Sequence, residues 1–205
     1  MALITVSNNS LTAVTALPAS VPTGALTLIK SITASSSASI SFVDGASGVV
    51  LDDTYKSYVF KFINIHPASS SKLSVNFSVD SGSNYNVTKT NTLFNAQHDE
   101  ADSYGELAYS SNDDLAQSTA FAVLSPGSTG ADNDSNLGGH LQLFSPADTT
   151  FVKHFISIIN HSAGAASNNS FMAGYCNTTS AVDAVQFKMS SGAIADGIIK
   201  LYGVK

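Results

Sequence analysis

At 205 residues the chain is long enough for one domain with a sizeable core. Its longest unbroken apolar stretch, residues 120–124, is far short of the roughly 20 needed for a membrane-spanning helix, and no charged start followed by an apolar block marks a secretory signal. All nine basic residues are lysines and the net charge is −6; without arginine's planar fork, and with a charge that repels polyanions, nucleic-acid binding is set aside.

Thirteen of the fifteen acids are Asp, and Ser (33), Thr (16) and Asn (15) together fill almost a third of the chain. Helix formers are scarce and turn formers abundant, which points to an all-β protein. Cys176 is the only cysteine, so neither an intrachain disulfide nor a cysteine-rich metal site is available. In the strand-like segment 171–176 it reads as a small buried apolar residue rather than a nucleophile.

In chain order, residues 1–24 mix isolated apolar residues with two prolines and small polar ones, and read as an extended arm. Leu3, Ile4, Val6, Leu11, Val14, Leu17 and Val21 would prefer a surface to lie on, either the chain's own domain or a neighbouring subunit. From residue 25 onward, period-two alternation recurs and predicts strands. The first two cover 25–33 and the serine-alternating Ala38, Ile40 and Phe42. The next, 58–65, carries large apolar residues on both faces and so belongs in the middle of a sheet or against a partner. In 72–80, Leu73, Val75, Phe77 and Val79 share one face while Lys72, Ser74, Asn76, Ser78 and Asp80 form a face expected to be wet. Strands are expected at 85–94 and 104–109. One short helix is expected over 111–117, with Ser111 or Asn112 as its cap and Asp113 and Asp114 at the positive end of its dipole. Further strands fall at 119–124, 138–144, the two-faced 151–159, 171–177, 185–189 and 197–204. Gly, Ser, Asn, Asp or Pro clusters separate them, so residues 25–205 are expected to fold as one two-sheet antiparallel sandwich of jelly-roll form.

The chain offers little chemistry. No Gly-x-Ser-x-Gly elbow presents a serine nucleophile. His98, Asp99, Glu100 and Asp102 crowd four potential metal ligands into five residues, but lack the spacing that sets two imidazoles on one helix face. The loop 132–138 places oxygen side chains at alternate positions, as calcium loops do, which makes Asp132, Asp134 and Asn136 the candidate cation ligands. Leu137 then stands where such a loop needs glycine, and Leu143 where it needs the closing Glu, so a turn built on Asx hydrogen bonds is the preferred reading. Glu100 and Glu106 lie in one polar stretch with no apolar strand to raise a general acid's pKa. Tyr58, Phe60 and Phe62, or Tyr85 and Tyr104, could stack on sugar rings; with no Trp in the chain, core packing is the preferred role for them. His66, His140, His154 and His161 share no spacing and are read as structural. The Asn-x-Ser/Thr triplets at Asn8, Asn76, Asn86, Asn168 and Asn177 are those an Asn-, Ser- and Thr-rich chain produces by chance. No cofactor is expected.

Specific phrases along nearly the whole length carry a resemblance. They are Met1-Ala2-Leu3-Ile4, Leu26-Thr27-Leu28-Ile29 leading into the serine-rich 33–42, Tyr58-Val59-Phe60-Lys61-Phe62-Ile63-Asn64-Ile65-His66-Pro67 and Phe151-Val152-Lys153-His154-Phe155. Ala173-Gly174-Tyr175-Cys176-Asn177-Thr178-Thr179-Ser180, Phe187-Lys188-Met189-Ser190-Ser191-Gly192 and the last nine residues, 197–205, complete them. In these the chain resembles a family of small virion structural proteins of tailed phages of marine bacteria, chiefly cyanophages. The resemblance implies a non-enzymatic particle protein on head or tail, such as a capsid decoration, head-fibre or tail-associated subunit, located on the virion after assembly in the host cytoplasm. It implies a homo-oligomer, a trimer by analogy, with capsid or tail subunits as partners. The alternative expectation is a carbohydrate-binding module that engages a host surface glycan.

Overall fold

The computed structural model describes residues 25–162 and 164–205. The expected arm, with Leu3, Ile4, Val6, Leu11, Val14, Leu17 and Val21, lies outside the described residues. Thirteen strands follow one another: β1 (Leu26–Thr33), β2 (Ile40–Val43), β3 (Ser57–Pro67), β4 (Leu73–Ser78), β5 (Lys89–Asp99), β6 (Gly105–Tyr109), β7 (Leu115–Ser118), β8 (Ala122–Val123), β9 (Leu137–Phe144), β10 (Lys153–Ser162), β11 (Ala166–Cys176), β12 (Ala184–Met189) and β13 (Ile194–Val204). They form two antiparallel sheets. The larger runs β1-β13-β3-β9-β10-β11-β5-β6, with β7 also paired to β5; the smaller runs β2-β12-β4-β8.

Alternation along the strands builds the interior. Phe60 and Phe62 of β3, Leu141 and Leu143 of β9, and Phe155 and Ile159 of β10 point inward from the large sheet, against Phe42 of β2, Val75 and Phe77 of β4 and Phe187 of β12 from the small one. Phe187 sits at the centre, with its ring 5.2 Å from Phe60 and 5.1 Å from Phe62, both edge to face. Phe77 and Phe155 meet across the same gap at 5.1 Å. Such pairs add about 0.5–1.5 kcal/mol beyond the area they bury.

The two-faced segments β3 and β10 lie inside the large sheet, where each has a paired strand on both sides. Close packing there demands glycine: Gly139 of β9, at φ +153, leaves no room for a Cβ against the Ile158 carbonyl of β10. The turn from β5 to β6 is written locally. The Asp99 carboxylate accepts the Ser103 and Tyr104 N–H groups at 2.8 and 3.0 Å, and Asp102 takes φ +53.

Two expectations are corrected. Residues 111–117 form no helix: the Asp113 and Asp114 N–H groups both turn back to the Ser110 carbonyl, and the chain then runs on as strand β7. A single capped turn cannot offset the cost of helix nucleation, whereas β7 gains ladder bonds to β5. The Asp113 carboxylate instead takes the Lys72 ammonium at 2.7 Å.

Of the face expected to be wet, Ser74, Asn76 and Ser78 are buried while Lys72 and Asp80 at its ends stay accessible, and Val79, expected to point inward, is 39% exposed. All six residues of the strand are inaccessible, because residues 79–88 and 119–121 fold over it. Asn76 donates to the Tyr85 and Thr119 carbonyls at 2.6 and 3.0 Å and accepts from the Phe77 N–H at 2.9 Å. Ser74 donates to the Lys188 carbonyl and Ser78 to Asp80. Polar character here matches the loops that seal the strand rather than solvent, as buried polar groups require. The expected strand over 119–124 shrinks for the same reason to Ala122–Val123.

Candidate functional site

The outer face of the large sheet is the most distinctive surface of the described residues. One cross-strand row runs its full width, Ser31, Lys200, Lys61, His140, Ile158, Phe171, Phe94 and Tyr109, each directly opposite the next. The row contains no carboxylate, although the chain is acidic, and it divides into a polar half and an apolar half. On the polar half, the Lys61 ammonium lies 5.4 Å from the Tyr202 ring centroid. Burial, followed by the charge of Lys61, holds the His140 imidazole below its usual pKa and so keeps it neutral near pH 7.

The apolar half spans β10, β11, β5 and β6. Phe94 and Phe171 stack at 5.1 Å and 12°, flanked by Ile156 and Ile158 on one side and by Leu107 and Tyr109 on the other. Leu107 is 70% exposed, Tyr109 54%, Ile156 44% and Phe94 40%. A shallow groove of about 220 Å³ runs between Phe94, Ile156, Ile158 and Phe171. Scattered exposed hydrophobics are ordinary on proteins; a contiguous aromatic and aliphatic patch on a rigid sheet is not, and it marks an interaction surface.

The loop at one end of the sandwich holds the candidate cation ligands. It is fixed through backbone atoms: the Asp132 carbonyl lies 3.1 Å from His66 Nε2, the Asp134 carbonyl accepts from Ser162 Oγ, and the Asn136 N–H donates to that same hydroxyl. Asn136 joins Asn64, His66, Asn133 and Asp196 around an open cleft of about 270 Å³, while Asp132 and Asp134 do not line it. The cleft owes its shape to bulges in the β3/β13 pairing, where Asn64 takes φ 49 and Gly197 φ 120. Sequence reading missed Asn64 and Asp196. The available signal was a lone Asn inside the apolar run of β3 and an Asp-Gly pair inside β13.

His98, Asp99, Glu100 and His161 border a second cleft, of about 310 Å³. Asp99 is committed to its turn and His98 contacts Asp102 at 3.2 Å. Among the described residues no three His, Cys, Asp or Glu side chains are grouped to hold a metal ion. His161 is wholly buried beside Gly127 and the Pro126 carbonyl, yet neither ring nitrogen has a hydrogen bond of good geometry, and burial holds its pKa below the usual value.

Two further groups lie deep in the large sheet. Cys176 sits between Lys153 and Lys89, its direct neighbours on β10 and β5. Both lysines are buried and bond backbone carbonyls, Lys89 those of Val87 and Ala120, Lys153 those of Phe151 and Thr178. Burial lowers the Lys89 pKa to about 8 and pushes the Cys176 thiol up to about 12. Nothing in the sequence distinguished these lysines from surface ones. Tyr58, Phe60 and Phe62 are core residues, with the Tyr58 hydroxyl donating to the Asp52 carbonyl at 2.8 Å, so they present no platform to a sugar. Comparison of the chain with family models, with curated proteins and with solved structures finds no match.

Proposed function

We propose that this chain is a non-enzymatic structural subunit of a tailed-phage virion, a capsid decoration, head-fibre or tail-associated protein that self-associates and docks on the particle through residues 1–24. The observation that carries the reading is the open apolar half of the large sheet's outer face, with Leu107, Tyr109, Ile156 and Phe94 each at least 40% exposed. An all-β sandwich with one face uncovered among the described residues suits a component whose surfaces are completed by neighbouring copies, and a jelly roll is the form we propose for it. A trimer is the preferred assembly, other capsid or tail subunits are the further partners, and the virion is the place of action. The resemblance of the sequence phrases to cyanophage particle proteins supports the same reading.

A mass-spectrometric inventory of purified particles tests it. The chain is expected as a component in fixed ratio to the major capsid or tail protein, and its absence from particles that otherwise contain their full protein set would refute the proposal. Deleting residues 1–24 should leave the sandwich folded and abolish incorporation.

A second reading, a module for a host surface glycan, is favoured by the polar cleft of Asn64, His66, Asn133, Asn136 and Asp196, whose amide and carboxylate groups suit sugar hydroxyls. Calorimetric titration with host surface polysaccharide separates the two, since a purely structural subunit gives no saturable heat.

A further inference from the structure

The apolar half of the outer face ends at an open strand edge. Ser110 N–H donates to the Leu93 carbonyl at 2.8 Å and Asp99 N–H to the Tyr104 carbonyl at 3.1 Å. With the β5/β6 register, these bonds set Leu93–Ser110, Asn95–Ala108 and Gln97–Glu106 as the closely bonded pairs. The N–H and C=O groups of Leu107 and Tyr109 therefore point away from β5. Among the described residues no strand pairs with that side of β6. An unpaired edge beside exposed Leu107 and Tyr109 is a template for one more strand.

From these features we infer that a stretch of residues 3–17 of one copy, about as long as β6, adds as a strand along β6 of another copy, laying the aliphatic side chains of one of its two faces against Leu107, Tyr109 and Phe94. This rests on the self-association proposed above and names its joint. The segment suits the edge. Residues 1–24 contain no Asp, Glu, Lys or Arg, their prolines are confined to positions 18 and 22, and Leu3, Ile4, Val6, Leu11, Val14 and Leu17 are all aliphatic. The segment brings no charge of its own, and the nearest carboxylate, Asp114, already accepts the Tyr109 hydroxyl at 2.6 Å, so the approach leaves no new buried charge unpaired.

Reach limits which copy supplies the strand. The described chain begins at Ala25, beside β1, and β1 and β6 are the two ends of the large sheet. Seven strand spacings separate them, roughly 34 Å. The eight steps from Leu17 to Ala25 span about 26–29 Å when fully extended. A stretch that ends at Leu17 on β6 therefore comes from a second copy, whereas one nearer residue 3 is within reach of either copy, and mixing complementary variants separates the two.

Sedimentation of full-length variants tests this. Leu107→Pro removes an outward N–H without touching the β5 ladder, Leu107→Ser removes only the side chain, and Val6→Asp/Val14→Asp places charge in the strand-forming segment. Each is expected to weaken self-association at least about tenfold, while circular dichroism and thermal melts report an intact fold. An equimolar mixture of the Leu107→Pro and Val6→Asp/Val14→Asp chains should regain association, because one retains the strand and the other the edge.

Unchanged association in both Leu107 variants would overturn the joint, and so would loss in the single variants with no recovery on mixing, which is the signature of a segment docking on its own chain. A wild-type chain that stays monomeric at every concentration, yet is found in purified particles, would overturn this inference and leave the virion reading standing. Recovered association by a chain absent from particles would do the reverse.

Discussion

The outer faces of the two sheets are finished in opposite ways. On the small sheet, the outward side of β4 is polar, and loops cover it until every residue of the strand is buried. On the large sheet, the outward side from β10 to β6 is apolar, and among the described residues it stays open. Side-chain polarity thus fails as a guide to exposure on either face. What decides it is whether the connecting segments carry carbonyls and amides to satisfy the strand beneath them, as Tyr85 and Thr119 do for Asn76.

The contrast can be broken most severely from the inside. Phe187→Ala, which empties the point where both sheets meet, should cost about 3–5 kcal/mol in urea unfolding. A loss below 1 kcal/mol would mean that the two sheets are not held by this cluster. Next in size is Asn76→Ala, which strands two carbonyls and one N–H under the loops and should cost about 1–3 kcal/mol. A near-neutral result would show that water reaches the face after all.

A smaller effect follows from pH. Burial lowers the His161 pKa below its unfolded value, so the unfolded chain takes up the proton first as pH falls. Stability is therefore complete above about pH 6.5 and declines as pH drops below that value. Thermal melts from pH 7.5 to 5 should show the decline, and a shallower one in His161→Gln; identical slopes would remove His161 as the cause. The smallest effect belongs to the open face. Ile156→Ser should change the unfolding free energy of the isolated chain by no more than about 0.5 kcal/mol, and a large loss would mean that the face is already covered.

Much of the fold was legible because alternation is a local signal: the inward Leu73, Val75 and Phe77, and the central placement of β3 and β10, follow from side-chain period alone. The partner on the far side of a strand is not local, which is why Ser74 and Asn76 were misplaced and why Lys89 and Lys153 could not be told from surface lysines. The helix expected at 111–117 failed on a tertiary competitor, the free side of β5 at Lys89–Asn91. Of the candidate site, Asn136 was legible from its loop, whereas Asn64 and Asp196 depend on a bulge that only pairing creates.

The interior thiol has a practical corollary. Burial pushes its pKa up to about 12, so Cys176 stays protonated at neutral pH, and it is sealed from reagents by the sheet around it. A cysteine introduced at an exposed site away from the apolar face, such as Phe151, can therefore carry a maleimide dye or spin probe without first deleting the native one, which leaves the wild-type background intact for distance measurements on assembled copies.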